Sequence, residues 1–203
     1  MDAVYRQNYG LHLYEYLLII EPSGAVQKQL EAFKQYFIAN HRYPNAIVSK
    51  SHMTLMRFIQ YDSYEKQMVR EFRRIADMVD PFDVALHGFG SFGHTLYVDV
   101  KSAVPILQLF STHRRTLRPL VSGVKGHVAR FVTKPHITIA RKLTPPQHAV
   151  IWPIWNRTRY RGEFRAQNMT LLRRRVGTRT YATVQKFQFL GMSPAFMQGK
   201  LFA

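Results

Sequence analysis

The chain has no cysteine. That absence excludes a disulfide framework, a thiolate-held metal and a cysteine nucleophile, and it predicts a cytoplasmic setting. Long apolar runs are missing too. The most apolar stretch near the start, Tyr16–Ile20, falls well short of the ~20 residues a membrane helix needs. No basic n-region or small-residue cleavage site marks a secretory leader, so no membrane partner is expected. Acid is scarce in one half only. Residues 1–100 carry 10 Lys/Arg and 11 Asp/Glu, whereas residues 101–203 carry 19 Lys/Arg and a single acid, Glu163. A basic half of this kind is the electrostatic footprint of a polyanion partner.

Several chemical signatures are also absent. There is no Gly-x-Ser-x-Gly elbow for a serine hydrolase and no His-Glu-x-x-His for zinc. The run Gly88-Phe89-Gly90-Ser91-Phe92-Gly93 has glycines but no lysine to cradle a phosphate, so it reads as a turn or bulge. No cofactor or metal is called for.

What is present is a short string used twice: Ser51-His52-Met53-Thr54-Leu55 and Pro135-His136-Ile137-Thr138-Ile139. A strand has a period of two, so each His and Thr share one face while Met53/Leu55 and Ile137/Ile139 point to the other, toward a core. Chance supplies about 0.2 such His-x-Thr-apolar units in a chain of this make-up, so two make a coincidence on the order of a few per cent. Two imidazoles titrating near neutrality and two hydroxyls suit proton transfer at a phosphate. We take His52, Thr54, His136 and Thr138 as the candidate catalytic residues. The other seven histidines match no pattern.

Punctuation and periodicity place the two strings in similar surroundings. Tyr14–Ile20 reads as a strand and Ala25–Ala39 as a helix, with a turn at Tyr43-Pro44-Asn45. A His-x-Thr strand from Val48 to Ile59 follows. Next comes a helix over Ser63–Val79 with Asp62 as its candidate cap, then a strand over Phe82–Phe92. The order then recurs: strand Thr95–Val100, helix Val104–Leu117, His-x-Thr strand Arg130–Arg141, helix Pro145–Trp155 and strand Tyr160–Leu172. Tyr181–Leu190 closes the chain as a last strand. A β-α-β-α-β unit used twice is the expectation. It implies one two-lobed domain over residues 14–203 behind an extension of residues 1–13, and a monomer.

The strings His52-Met53-Thr54-Leu55 and Lys134-Pro135-His136-Ile137-Thr138-Ile139-Ala140-Arg141 resemble the two-histidine phosphoesterase superfamily. The branch they are most similar to is the LigT-like 2′-5′ RNA ligase or RNA 2′,3′-cyclic phosphodiesterase family. The resemblance spans about residues 14–190. It implies an α+β fold with two antiparallel sheets facing a central cleft and helices outside, and one His-x-Thr from each lobe on the cleft floor. The activity it implies is opening of 2′,3′-cyclic phosphate ends to a 2′-phosphate, with hydrolysis or reversible ligation of 2′-5′ linkages as the alternative. An RNA-binding module without turnover is a third reading.

Around the four motif residues, Arg57, Arg141, Lys134 and Arg130 are the candidate substrate contacts. Arg57 and Arg141 each follow their His by five positions. That odd count turns them away from the histidine face unless a bulge intervenes. Arg141 also matches the arginine that often ends the similar family motif. Phe58 and Phe131 can stack a base, but core packing is the expected use of both. Arg173-Arg174-Arg175 is expected to be solvated.

Overall fold

The computed structural model describes residues 12–41 and 50–192. Most of the expected extension, the turn at Tyr43-Pro44-Asn45 and the first residues of the first His-x-Thr strand lie outside the described residues.

Among the described residues, nine strands and five helices follow one another. They are β1 (Leu13–Ile20), α1 (Gly24–His41), β2 (Met53–Tyr61), α2 (Glu65–Asp77), β3 (Phe82–Ser91), β4 (Thr95–Val100), α3 (Ala103–Gln108), α4 (Arg114–Val121), β5 (Arg130–Phe131), β6 (His136–Arg141), α5 (Pro145–Arg157), β7 (Arg161–Ala166), β8 (Asn168–Arg175) and β9 (Ala182–Gln188). Every pairing is antiparallel, and the strand order is β7-β3-β4-β6-β2-β1-β8-β9, with β5 beside β2. The expected α+β class is therefore observed. The two sheets, however, are joined into one path. The join is slender: β6 meets β2 through the single pair Met53–Ile137.

The departures from the expected elements have local causes. Asp62 does not cap α2. It opens a short 3₁₀ turn, and its carboxylate accepts the His12 backbone N–H at 3.1 Å. The helix expected over residues 104–117 breaks after Gln108, where the Ser111 hydroxyl donates to the Gln108 carbonyl at 2.9 Å and competes with the helical ladder. The second His-x-Thr strand is interrupted before Pro135, which has no N–H to give a ladder. Gln167 alone separates β7 from β8, yet these lie six positions apart in the sheet order. Six strand spacings amount to roughly 29 Å, far more than one residue spans, so the sheet has to curl.

The helices pack on one face. Phe33 of α1 meets Phe89, Trp155 and Tyr160 edge-on, and Phe72 of α2 meets Phe58 and Phe187. Met53, Leu55, Ile137 and Ile139 are fully buried on that side. The helices also change partners across the join. α1, which precedes β2 in the chain, packs against β6 and β7, while α4, which precedes β6, packs against β2. No helix among the described residues is long and apolar enough to cross a membrane.

Candidate active site

The join between the half-sheets is where the two repeated strings meet. Because Met53 and Ile137 are antiparallel partners, His52 stands across from Thr138, and Thr54 from His136. Directly opposed side chains begin about 5 Å apart, so the two His–Thr couples lie side by side. All four are half-buried, alternating with fully buried neighbours, as the period of two requires.

Both histidines are held in the same way. His52 Nδ1–H donates to the Lys50 carbonyl at 2.8 Å, and His136 Nδ1–H donates to the Lys134 carbonyl at 2.7 Å. A carbonyl only accepts, so the proton of each neutral ring is fixed on Nδ1, and Nε2 is left as the nitrogen that exchanges protons. The signal was in the sequence: a lysine lies two positions before each His. Its working part is the backbone carbonyl, which a reading of side chains passes over.

Each string is followed by a β-bulge at the matching place. Leu55 is the extra residue of β2 against Leu18 and Ile19, and Ile139 is the extra residue of β6 against Leu96 and Tyr97. A bulge resets the alternation. Leu55 and Met56 both face the core, as do Ile139 and Ala140, and Arg57 and Arg141 come round exposed on the histidine face. The bulges thus override the odd count that would have turned the two arginines away.

The surroundings of the two histidines differ. His136 packs against both Phe92, at 5.1 Å between ring centroids, and Tyr97, at 5.0 Å; those two rings are themselves 4.4 Å apart. Lys134 Nζ donates to the Tyr97 hydroxyl at 2.7 Å and sits over both rings. Gly90 makes room for this stack, because a Cβ there would come within 2.3 Å of the Tyr97 ring. Phe92 is 43% exposed, an accessible aromatic that the motif search missed. Its clue was the Phe-Gly run, read only as a turn.

His52 is set by α1. Glu31 accepts the Ser51 N–H at 2.8 Å and a Gln27 side-chain N–H at the same distance, and it lies 3.9 Å from the buried Lys34. Burial pushes the His52 pKa below the ordinary histidine value. The charges of Lys34 and Arg141 push the same way, while the Lys50 carbonyl and Glu21 oppose them.

Arg57 shares the buried carboxylate of Glu15 with Arg174 and Tyr181. Burial alone would raise the Glu15 pKa; the hydrogen bonds from Arg174, Arg57 and Tyr181 outweigh it and hold the carboxyl below its usual range. Arg130 is the cross-strand partner of Arg57. Phe58 is core, stacked on Tyr16 at 5.2 Å. Two of the three arginines expected to be solvated are tied down instead, while Arg175 is exposed. Arg174 binds Glu15 on the histidine face, and Arg173 binds Glu65 at 2.6 Å on the helix face.

Residues 22–178 match the family described as the 2′-5′ RNA ligase superfamily. The chain belongs to that superfamily. A protein of Geobacillus sp. strain WCH70 named "putative phosphoesterase" is 26% identical over 156 residues, covering 76% of this chain and 80% of its own. A protein of Geobacillus kaustophilus strain HTA426 with the same name is 27% identical over 139 residues, covering 68% of this chain and 75% of its own. Among solved structures, TT0787 of Thermus thermophilus superposes with a TM-score of 0.66 at 18% identity, covering 88% of this chain and 100% of that one. LigT of E. coli complexed with 3′-AMP superposes with a TM-score of 0.56 at 16% identity, covering 88% and 98%. These structures share the superfamily's fold with this chain.

Proposed function

We propose that this member of the superfamily is a metal-independent RNA phosphodiesterase that opens 2′,3′-cyclic phosphate ends to 2′-phosphates. The observation that carries the reading is the paired His-x-Thr couple. Two imidazoles with the same Nδ1–H anchor and two hydroxyls flank one join in the sheet. Family membership supports phosphate-ester chemistry on RNA. LigT, whose fold this chain shares, forms complexes with 3′-AMP and with phosphate.

In the proposed reaction water attacks the phosphorus of the cyclic ester. One Nε2 takes the water proton as the new P–O bond forms. The other imidazolium gives its proton to O3′ as the P–O3′ bond breaks, leaving phosphate on O2′. The Thr54 and Thr138 hydroxyls donate to the non-bridging oxygens, where charge builds up. His52, kept neutral by burial and by nearby cations, is the base, and His136 is the acid. Arg141 adds charge at the phosphate, and Phe92 beside His136 stacks the base of the terminal nucleotide.

The test is a panel of oligonucleotides ending in 2′,3′-cyclic phosphate or containing one 2′-5′ linkage, incubated in EDTA with product ends identified. A 2′-phosphate from the cyclic substrates is the expected result. Cleavage or joining at the 2′-5′ linkage alone would assign the ligase-type reaction instead. Binding without turnover would make the protein an RNA-binding module.

A further inference from the structure

Two like-charge arrangements, neither used in the proposed reaction, lie on the two sides of β5. Arg57 and Arg130 are directly opposed across β2 and β5. On α4, Arg114 and Arg118 are four residues apart, with Arg115 beside them, and all three are exposed. Like charges directly across a ladder, or at i,i+4 on a helix, cost stability. Among the described residues an acid offsets only one of these arginines, Arg57, which binds Glu15. The ion pairs of the described residues use Arg57, Arg74, Arg165, Arg173 and Arg174, but not Arg114, Arg115, Arg118 or Arg130. The nearest acid on α2, Glu71, is taken up by Arg74 and the Thr116 hydroxyl.

The two groups meet around β5, whose successive residues Arg130 and Phe131 point to opposite faces. The Arg114 guanidinium lies over the Phe131 ring at 5.4 Å, and Phe131 follows Arg130 in β5. Beyond it a cavity of about 590 Å³ is lined by Arg114, Arg115, Arg118, Pro119, Ser122 and Val128. Val128 is 80% exposed at its rim. Arg57 is roughly 15 Å along β2 from His52, beyond the reach of one nucleotide held at the histidines.

We propose that the arginines from Arg57 and Arg130 over Phe131 to Arg114, Arg115 and Arg118 form a path for the sugar-phosphate backbone of single-stranded RNA. Internal phosphates occupy the path while the terminal phosphate sits at the His–Thr couples. This rests on the RNA reading of the site and assigns where the body of an oligonucleotide substrate runs. Strand phosphates supply the acids that Arg130, Arg114, Arg115 and Arg118 lack.

The experiment compares the full chain with its R114Q/R115Q/R118Q variant in two ways. The first is anisotropy of a labelled single-stranded oligoribonucleotide ending in a 3′-phosphate, titrated across salt. We expect about tenfold weaker binding near ~0.1 M salt and a log–log salt slope smaller by about 2, because three phosphates go unneutralised at about 0.7 each. The second is kcat/KM. On a 2′,3′-cyclic mononucleotide it should hold within about twofold, and on an oligonucleotide with the same end it should fall about tenfold. R115Q/R118Q keeps the Arg114–Phe131 contact and should show about two-thirds of the salt-slope effect, which separates lost charge from lost fold. Unchanged binding and slope would overturn the path. So would an equal loss on the mononucleotide, or competition by polyglutamate as strong as by RNA. If the wild-type protein turns over neither substrate, the proposed function fails, and the anisotropy still decides the path.

Discussion

His52 and His136 carry the proposed chemistry, and their shared anchor makes them chemically comparable. Each carries its proton on Nδ1 because a carbonyl two residues back can only accept it. His52→Ala and His136→Ala should each lower kcat/KM on a cyclic phosphate by about 10²–10⁴-fold, the usual worth of a positioned acid or base. Thr54→Val and Thr138→Val should each cost about 10²-fold in kcat, because each removes one donor to the developing charge. The lowered pKa of His52 sets a sign. As the base it works unprotonated, so the acidic limb of kcat/KM should have its midpoint below the ordinary histidine value. Lys34 is one cause of that shift, so Lys34→Met should move the limb to higher pH, a displacement read directly from the pH–rate profile. Movement to lower pH, or none, would take the base role away from His52.

At the scale of elements, the motif strands were legible because a half-buried strand writes itself as alternation: His52, Met53, Thr54, Leu55 and His136, Ile137, Thr138, Ile139. The bulges after the two threonines were not legible. A bulge is a mismatch between partners, here Leu18/Ile19 against Leu55 and Leu96/Tyr97 against Ile139, and one strand's residues do not record which partner slips. Arg57 and Arg141 therefore lie exposed on the histidine face although their spacing argued against it. Their matched bulges and matched Nδ1 anchors support the proposal that the chain carries a duplicated unit. The exchange of α1 and α4 across the join was hidden for a similar reason, since amphipathic periodicity gives a helix a buried face but not a partner. Packing at Gly90 offers a test at this scale. Gly90→Ala pushes a methyl into the Tyr97 ring, which carries the Lys134 contact beside His136. It should cost about 1–3 kcal/mol of stability in denaturant unfolding.

Across the whole molecule, charge is partitioned between holding the sheet and facing solvent. Glu15 is buried at the centre of one network, binding Arg57, Arg174 and Tyr181. Glu15→Gln leaves those cations short of a partner. It should destabilise the protein by about 2 kcal/mol, a figure already reduced for the exposure of Arg57. Because the folded pKa of Glu15 is depressed, its contribution is present above the unfolded carboxylate pKa. It is lost as pH falls through the folded value. Wild-type stability should therefore drop on acidification in a way that Glu15→Gln blunts. Such pairings were unreadable in advance, since Glu15 and Arg174 are 159 residues apart. The charge asymmetry between the halves was readable, and part of it lies on α4 and β5, where Arg114, Arg115, Arg118 and Arg130 have no ion pair among the described residues.

The measurement that bears most directly on the central claim is turnover of a 2′,3′-cyclic phosphate-ended oligonucleotide in EDTA by the wild-type, His52→Ala and His136→Ala proteins. Two-histidine catalysis predicts a 2′-phosphate product from the wild type, undiminished by chelator, and a loss of at least about 10²-fold in each variant. Wild-type rates in either variant, or activity abolished by EDTA and restored by a divalent ion, would contradict it.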